Sequence, residues 1–317
     1  MTAFGYTLMT EQRPPHDLVR EAQLAEEADF DFAVMSDHFH PWLESQGNSP
    51  FAWSVLGAVA DRTERIGLMT AVTCPTIRYH PAVVAQAAAT VAVMSEGRFS
   101  LGLGSGENLN EHVVGQGWPP ADIRLDMLRE AIEVIRLLWG GGTQRYRGRH
   151  FRVDDARLYT LPDSPPKLCV AVSGGLSTAL AAEHADGIIA VEPEAELVSK
   201  YTEAGGAGPR YGQIPVCWAK DEASARSTAR ELWRFGVPGW PVMSELPSPS
   251  NFEAATAGVT EDDVAEMVPC GPDPDRHVAA IRKFIDAGFD HVAIVQCGDD
   301  QAGFLRFWQN ELRPLLA

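Results

Sequence analysis

The feature that most constrains the fold is an alternation of strand-like and helix-like segments along almost the whole chain. Short runs of β-branched and apolar residues alternate with longer segments of helical period, a pattern typical of a parallel sheet with crossover helices. Eight strand and helix pairs follow one another. Because eight units favour a closed barrel over an open sheet, the sequence predicts an α/β fold of the (β/α)8 TIM barrel type.

The boundaries of these units follow from the periodicity and the turn residues. The predicted strands are Phe4–Met9, Asp31–Ser36, Ile66–Thr73, Arg98–Gly104, Lys167–Val172, Gly187–Val191, Gln213–Trp218 and His291–Gln296. The predicted helices are Asp17–Ala28, Phe51–Arg62, Pro81–Met94, Asp126–Trp139, Ser177–His184, Glu194–Tyr201, Glu222–Phe235 and Gly303–Leu316, with a further helix at Arg276–Ala287. We expect a single domain over residues 1–317.

Two segments interrupt the repeat. Gly140–Pro162 is polar with scattered aromatic residues and follows the fourth unit, and the Pro/Ser/Gly-rich Gly236–Gly258 follows the seventh. Loops of this length inside a compact domain are usually functional or mobile. Because the chemistry of such barrels lies on the loops after the strands, the second insertion is expected to cover the mouth.

The composition excludes some classes of binding partner. The net charge of −17 argues against nucleic acid and against anionic membrane surfaces, since both require positive protein surface. No stretch approaches the roughly 18 to 20 apolar residues of a membrane span, and no secretory signal precedes the first strand. We therefore expect a cytoplasmic protein that acts on a small molecule.

The five cysteines give no metal site. They are odd in number and far apart, without a CxxC pair or zinc-ligand spacing. We interpret them as reduced thiols that mostly pack in the core.

A histidine follows the second predicted strand, in Ser36-Asp37-His38-Phe39-His40-Pro41-Trp42. A neutral imidazole can take a proton from an alcohol near neutral pH, which makes His38 a candidate base. The alternative is that His38 caps a helix or bonds a backbone carbonyl. The neighbouring Asp37 and Trp42 favour the functional interpretation, and we expect a structural role for His40.

Two further loops carry candidate groups. After the fourth strand, glycines at alternate positions in Gly102–Gly106 allow close approach to a flat ring, and Glu107 is a candidate acid or a solvated loop residue. After the fifth strand, Ser173-Gly174-Gly175 opens a helix whose free N–H groups suit an anion. An N-cap by Ser177 would explain the same run.

Taken together, these motifs resemble the coenzyme F420 (deazaflavin) dependent branch of the luciferase-like oxidoreductases, most closely its glucose-6-phosphate dehydrogenases. The resemblance spans almost the whole chain. Its most specific parts are Ser36-Asp37-His38-Phe39 with Pro41-Trp42, Pro75-Thr76 with Arg78-Tyr79 and Pro81-Ala82-Val83, and Gly104-Ser105-Gly106-Glu107 with Leu109-Asn110-Glu111.

The resemblance implies a barrel of the bacterial-luciferase-like type, usually a homodimer, with the deazaflavin in the mouth. It implies that His38 is the base, Glu107 the acid and Trp42 the aromatic against the reacting centre. It also implies a cis peptide between Ala71 and Val72. The implied cofactor contacts are Asp37, Ala71, Val72, Cys74, Gly106, Asn110, Ser173, Gly174 and Gly175.

This chain differs from the sugar-phosphate enzymes at two positions, at which those enzymes have lysines that bind the substrate phosphate. This chain has Val191-Glu192-Pro193-Glu194 at the first position and Ala265-Glu266-Met267 at the second. Carboxylates repel a phosphate dianion, so the sequence favours a non-phosphorylated substrate. Lys220, Glu11 and the aromatic residues Trp218, Trp233, Trp240 and Phe252 are further candidates for the pocket wall.

The resulting hypothesis is hydride transfer between the deazaflavin and an alcohol or carbonyl carbon. Three alternatives remain: a sugar-6-phosphate dehydrogenase of the same branch, a monooxygenase that uses FMN, and a non-catalytic paralogue that only binds the cofactor.

Overall fold

The structure, a computed structural model, describes residues 2–316. Eight parallel strands close into a barrel in chain order, and the predicted TIM barrel is confirmed. The barrel strands are β1 (Ala3–Leu8), β2 (Phe32–Met35), β3 (Gly67–Thr70), β4 (Phe99–Leu103), β7 (Lys167–Ala171), β8 (Gly187–Ala190), β9 (Arg210–Val216) and β10 (His291–Gln296).

The first and last strands pair to close the barrel. Tyr6 of β1 lies opposite Ile294 of β10 on one side and opposite Ala33 of β2 on the other. Alternate residues point inwards, and the interior is filled by a small apolar cluster rather than left as a pore. That cluster contains Phe32, Val34, Met69, Cys169, Ile189 and Ala293.

Helices surround the barrel and border its mouth. Those of the first half are α1 (Pro15–Glu27), α2 (Ala52–Arg62), α3 (Pro81–Met94), α4 (Asn108–Glu111) and α5 (Ala121–Trp139). Those of the second half are α6 (Gly175–His184), α7 (Ala195–Glu203), α8 (Glu222–Trp233), α9 (Trp240–Met243), α10 (Pro249–Ala255), α11 (Glu261–Met267), α12 (Pro274–Asp286), α13 (Gln301–Phe307) and α14 (Arg313–Leu316). Short 3-10 turns occur at Glu44–Gln46, His112–Val114 and Arg234–Gly236.

Most helix boundaries lie within one or two residues of the prediction, and two helices differ more. Helix α5 begins at Ala121 instead of Asp126. Arg124 is buried in the first turns of this helix, whereas the periodicity of the sequence predicts that an arginine there faces solvent. The predicted final helix is interrupted by a π-helical turn at Trp308–Leu312. Pro314 follows two residues after this turn, and its missing N–H removes one regular helix bond.

The first insertion is not the plain loop that the sequence predicts. Within Gly140–Pro162, strands β5 (Gln144–Arg147) and β6 (Arg152–Ala156) form an antiparallel hairpin. The Glu130 carboxylate on α5 accepts the backbone N–H groups of the turn, at 2.8 to 3.1 Å. The hairpin is therefore fastened to the outer wall of the barrel.

The second insertion is also partly helical, which corrects the prediction of a loop. Gly236–Gly258 contains α9 and α10, and α11 follows where no helix was predicted. Helix α10 is capped by Ser248 and α11 by Thr260, whose side chains accept N–H groups of the first turn.

None of the helices between residues 2 and 316 has the length and apolarity needed to cross a bilayer.

Candidate active site

The loops that follow β2, β3 and β4 meet at the C-terminal mouth of the barrel, and the buried Asp37 carboxylate joins two of them. Its Oδ2 accepts a hydrogen bond from Thr73 at 2.7 Å. Its Oδ1 accepts bonds from Arg78 Nη2 at 3.0 Å and from the Tyr79 hydroxyl at 3.1 Å. Every partner of this carboxylate comes from the chain that follows β3, so Asp37 fixes the position of that loop.

Glu111 lies on the other side of Arg78 and is fully buried. Its Oε2 accepts the backbone N–H groups of Ile77 and Arg78, at 3.2 and 2.7 Å, and its Oε1 is 3.7 Å from Arg78 Nε. Burial raises the pKa of Glu111 to about 7, against the opposing effect of Arg78. Arg78 is thus held between two carboxylates, and its charge is compensated inside the protein.

Asn110 connects the loop after β2 to the one that carries Glu107. Its Oδ1 accepts the N–H groups of Phe39 and His40, at 2.8 and 3.2 Å. Its Nδ2 is 3.4 Å from Glu107 Oε2. The predicted acid is thereby brought to the loop of the predicted base.

His38 uses its two ring nitrogens differently. Nδ1 is 3.1 Å from the backbone carbonyl of His40, which is the contact that the structural alternative for His38 predicts. Nε2 is 3.5 Å from Oε1 of Glu11, a carboxylate that is almost completely buried. Ser36 donates to the other oxygen of Glu11 at 2.5 Å. The imidazole is therefore oriented by a backbone carbonyl on one side and faces a fixed carboxylate on the other.

Trp42 forms an aromatic wall with the second insertion. The His38 ring is 4.8 Å from it, and Phe235 stacks parallel to it at 5.0 Å. Phe252 and Trp240 pack against it edge to face, with ring centroids 5.2 and 6.3 Å from that of Trp42. Trp42 is 5% exposed. The insertion after β9 thus lies over the mouth, as expected, and makes that wall strongly apolar.

The backbone beside these groups is closely packed. The peptide bond between Ala71 and Val72 is cis, as the resemblance implies. A Cβ on Gly104 would lie 2.6 Å from a Val72 methyl group, and one on Gly106, whose φ is +98°, would lie 3.0 Å from Glu111. Within residues 2–316, the buried Thr76 Oγ1 and Glu111 Oε1 have no hydrogen-bond partner. Unpaired buried polar atoms of this kind fit a polar cofactor such as a deazaflavin.

The Ser173–Gly175 turn opens helix α6 on the same side of the barrel. The N-cap of α6 is Gly174, so the alternative of a Ser177 N-cap is wrong. The Ser177 hydroxyl instead accepts from the N–H groups of Ser173 and Gly174, at 3.2 and 3.3 Å. The N–H groups of the first helical turn precede the first intrahelical bond and stay available to an anion.

The five cysteines are buried, whereas the glutamates that stand where the sugar-phosphate enzymes have lysines are exposed. All five cysteines are buried and free, as predicted, and burial raises the pKa of the Cys74 thiol. Glu192 and Glu194 follow β8 at the mouth and are exposed, as is Lys220 after β9. Glu266 is exposed on α11, whose Val264 packs with Cys217, Cys270 and Cys297.

A family model described as luciferase-like monooxygenase matches residues 1–291. The chain belongs to this family. The sequence-based resemblance to its F420-dependent branch is confirmed by the relatives, which are named as F420-dependent dehydrogenases.

An F420-dependent glucose-6-phosphate dehydrogenase of Microbacterium testaceum is 35% identical, covering 99% of this chain and 97% of the relative. An F420-dependent hydroxymycolic acid dehydrogenase of Mycobacterium tuberculosis is 37% identical, covering 90% of this chain and 80% of the relative. Among solved structures, an F420-dependent secondary alcohol dehydrogenase in complex with an F420-acetone adduct has a TM-score of 0.91 at 29% identity, covering 98% of both chains.

The sequence interpretation missed several groups around this mouth. The sequence predicts no pairing for Glu111 and Arg78, which stand there only as motif residues, and it gives Phe235 only as the last residue of a helix. Arg78 had a usable signal, because an arginine beside a buried strand end needs a carboxylate partner. Phe235 had none, since its stacking on Trp42 depends on the path of the insertion.

Proposed function

We propose that this chain is an F420-dependent dehydrogenase or reductase that transfers a hydride between the deazaflavin and the alcohol or carbonyl carbon of a small, non-phosphorylated substrate. The single observation that carries the proposal is the joint placement of His38, Trp42 and Glu107 around a mouth that includes Gly104–Gly106, in a chain whose relatives are named as F420-dependent. The whole chain acts as one barrel domain in the cytoplasm.

The residues that would hold the cofactor lie on four loops. Ala71, Val72, Cys74 and Gly106 would contact the ring, Asp37 and Asn110 would fix the loops around it, and Ser173–Gly175 would receive the anionic tail. The deazaflavin supplies the hydride acceptor or donor when it is bound. The protein supplies position and the movement of protons.

His38 is the proposed base. A proton on Nδ1 is donated to the carbonyl of His40, which leaves the lone pair of Nε2 for the proton of a substrate hydroxyl. Glu11, 3.5 Å from Nε2, would stabilise the imidazolium once that proton is taken. Glu107 is the proposed acid on the cofactor side, and Trp42 would pack against the reacting carbon.

Titration of the purified protein with F420 and with FMN tests the cofactor assignment. Fluorescence quenching should give tight saturable binding of F420 and much weaker binding of FMN. Preferential FMN binding with oxygen uptake would instead favour the monooxygenase alternative. Saturable F420 binding without turnover on any alcohol or ketone would favour the non-catalytic alternative.

The substrate class rests on the charges at the mouth. Arg13 pairs with Glu21 and Asp299, and Arg78 with Asp37 and Glu111. Glu192 and Glu194 lie two residues apart, and desolvation followed by the charge of Glu194 raises the pKa of Glu192. A phosphate dianion would meet these carboxylates, with Lys220, exposed after β9, as the opposing positive charge. Glucose 6-phosphate, the substrate named for the relatives, is the alternative.

A charge reversal tests this electrostatic argument. Glu192→Lys is expected to raise kcat/KM for glucose 6-phosphate by about tenfold relative to a neutral alcohol, and added salt should reduce the gain. Glu203→Lys makes the same charge change at the far end of α7 and serves as the control. Equal effects of both variants would mean that only the net charge matters and that Glu192 does not face the substrate.

We also propose that the chain forms a homodimer through α2 and α3. Helix α3 has no charged side chain, which is the composition of a buried helix, yet Val83 and Met94 are 55% and 45% exposed. Together with the exposed Phe51 they border an apolar groove of about 310 Å³. Since each copy carries a net charge of −17, an uncharged face is where two copies can meet with the least repulsion.

Light scattering after gel filtration tests the dimer. Val83→Glu with Met94→Glu should give a monomer, because each association would bury unpaired carboxylates. Leu315→Glu, at a residue 44% exposed on α14, is the matched control and should leave the mass unchanged. A dimer that survives the double variant would rule out this face.

A further inference from the structure

A polar clasp joins the second insertion to the loop of Glu107, and its centre is Glu245. This residue follows α9, in the segment that lies over Trp42. Glu245 Oε2 accepts a hydrogen bond from Trp118 Nε1 at 3.0 Å, and Oε1 accepts one from Arg124 Nη2 at 3.3 Å. The Arg124 guanidinium lies over the Trp118 ring, 4.1 Å from its centroid. One carboxylate thus binds both members of a cation–π pair.

The backbone strengthens the same junction. Asn108, the first residue of α4, donates its N–H to the carbonyl of Ser244 at 2.9 Å. Its side-chain amide donates to the carbonyl of Glu245 at 3.0 Å. A helix N-terminus has N–H groups without intrahelical partners, and here the insertion satisfies one of them. Glu107 is the residue immediately before this contact.

The clasp also reaches the proposed cofactor cradle. The Trp118 ring is 3.3 Å from the position that a Cβ would take on Gly106. Arg124 is 4% exposed, and Glu245 is its only ion-pair partner among residues 2–316. The Glu245 side chain is 53% exposed, and Arg124 Nη1 also donates to the carbonyl of Pro119 at 2.6 Å. The ion pair therefore makes a modest contribution to holding this junction.

Apolar contacts complete the link to the aromatic wall. Trp42, Leu109, Phe235, Met243 and Phe252 form one cluster beneath the insertion, with Trp240 and Leu246 packed against it. Leu109 is in α4, beside Glu107 and Asn110. The same insertion therefore contacts Trp42 from above and the loop of Glu107 from the side.

We propose that Glu245 is a positioning residue that latches the insertion to the loop of Glu107, so that the apolar substrate wall and the proposed acid close as one unit. This inference rests on the proposed function for its substrate side. It assigns to Glu245, Trp118 and Arg124 the control of substrate affinity and release. Breaking the latch should free the insertion and the loop of Glu107 together.

The test uses Glu245→Ala and Glu245→Gln in the full chain, with Glu261→Gln, at an exposed position of α11, as the control. Hydrogen exchange on the cofactor-free protein should become faster in residues 240–246 and in residues 105–111 for Glu245→Ala. With an alcohol that the wild type turns over, the KM of Glu245→Ala should rise about tenfold with little loss of single-turnover rate. The KM of Glu245→Gln should lie between those of the wild type and Glu245→Ala.

Two results would overturn the proposal. Faster exchange confined to residues 240–246 would make the contact a local surface bond, and an unchanged KM would separate it from the substrate. A failure of the proposed function is distinguishable, because it would abolish turnover in the wild type, while the exchange experiment still tests the coupling of the two segments.

Discussion

Replacing His38 by alanine is expected to lower kcat by about 10²- to 10⁴-fold, the usual contribution of a positioned proton-transfer group. The reason is that Nε2 is the one ring nitrogen left free once Nδ1 bonds the carbonyl of His40. F420 affinity should be retained, because Asn110 holds the loop through backbone N–H groups and not through the imidazole. Steady-state rates and a fluorescence titration measure the two effects separately.

Two further variants make the result specific. Glu11→Gln removes the charge beside Nε2 without removing the base, and should give a smaller loss of kcat with a changed pH profile. His16→Ala, at an exposed position of α1, controls for the loss of any imidazole. If His38→Ala turned over at the wild-type rate, its assignment as the base would be wrong.

Replacing Asp37 by asparagine should cause a large loss of stability. The change leaves the shape of the side chain but removes the charge that Arg78 contacts at 3.0 Å, where the two side chains are 0% and 7% exposed. Breaking a buried ion pair by removing one partner costs about 3 to 5 kcal/mol. We expect the lower end of that range, since Glu111 remains 3.7 Å from Arg78 Nε.

Denaturant unfolding measures this prediction. Asp154→Asn is the matched control, because Asp154 pairs with Arg147 where both side chains are more than half exposed. An exposed pair of this kind contributes at most about 1 kcal/mol. Similar midpoints for Asp37→Asn and Asp154→Asn would show that the pair at the mouth does not stabilise the barrel.

Much of the fold could be predicted because it follows from local periodicity. The run His291–Gln296 is a strand and Pro81–Met94 a helix with the predicted limits, since apolar spacing and flanking turn residues determine both. The hairpin within Gly140–Pro162 was missed, because its strands are short, polar and fastened by Glu130 from another element. A contact between residues of different elements cannot be predicted from the local sequence pattern.

The candidate site divides in the same way. His38, Trp42 and Glu107 follow strands, so the topology alone brings them towards one mouth. The partners that orient them are distant in sequence. Phe235 stacks on Trp42, and Glu245 bonds Trp118 and Arg124, only because of how the second insertion is routed. The sequence around Phe235 and Glu245 contains no pattern that predicts these contacts.

The most direct test of the central claim compares substrates in one assay that follows deazaflavin absorbance. Wild-type protein with F420 is given neutral secondary alcohols and glucose 6-phosphate in parallel, and a carbinol deuterium label reports hydride transfer to the cofactor. We predict reduction of F420 by a neutral alcohol, with transfer of the deuterium, and negligible reduction by glucose 6-phosphate. Efficient reduction by glucose 6-phosphate, with none by any neutral alcohol, would contradict the account.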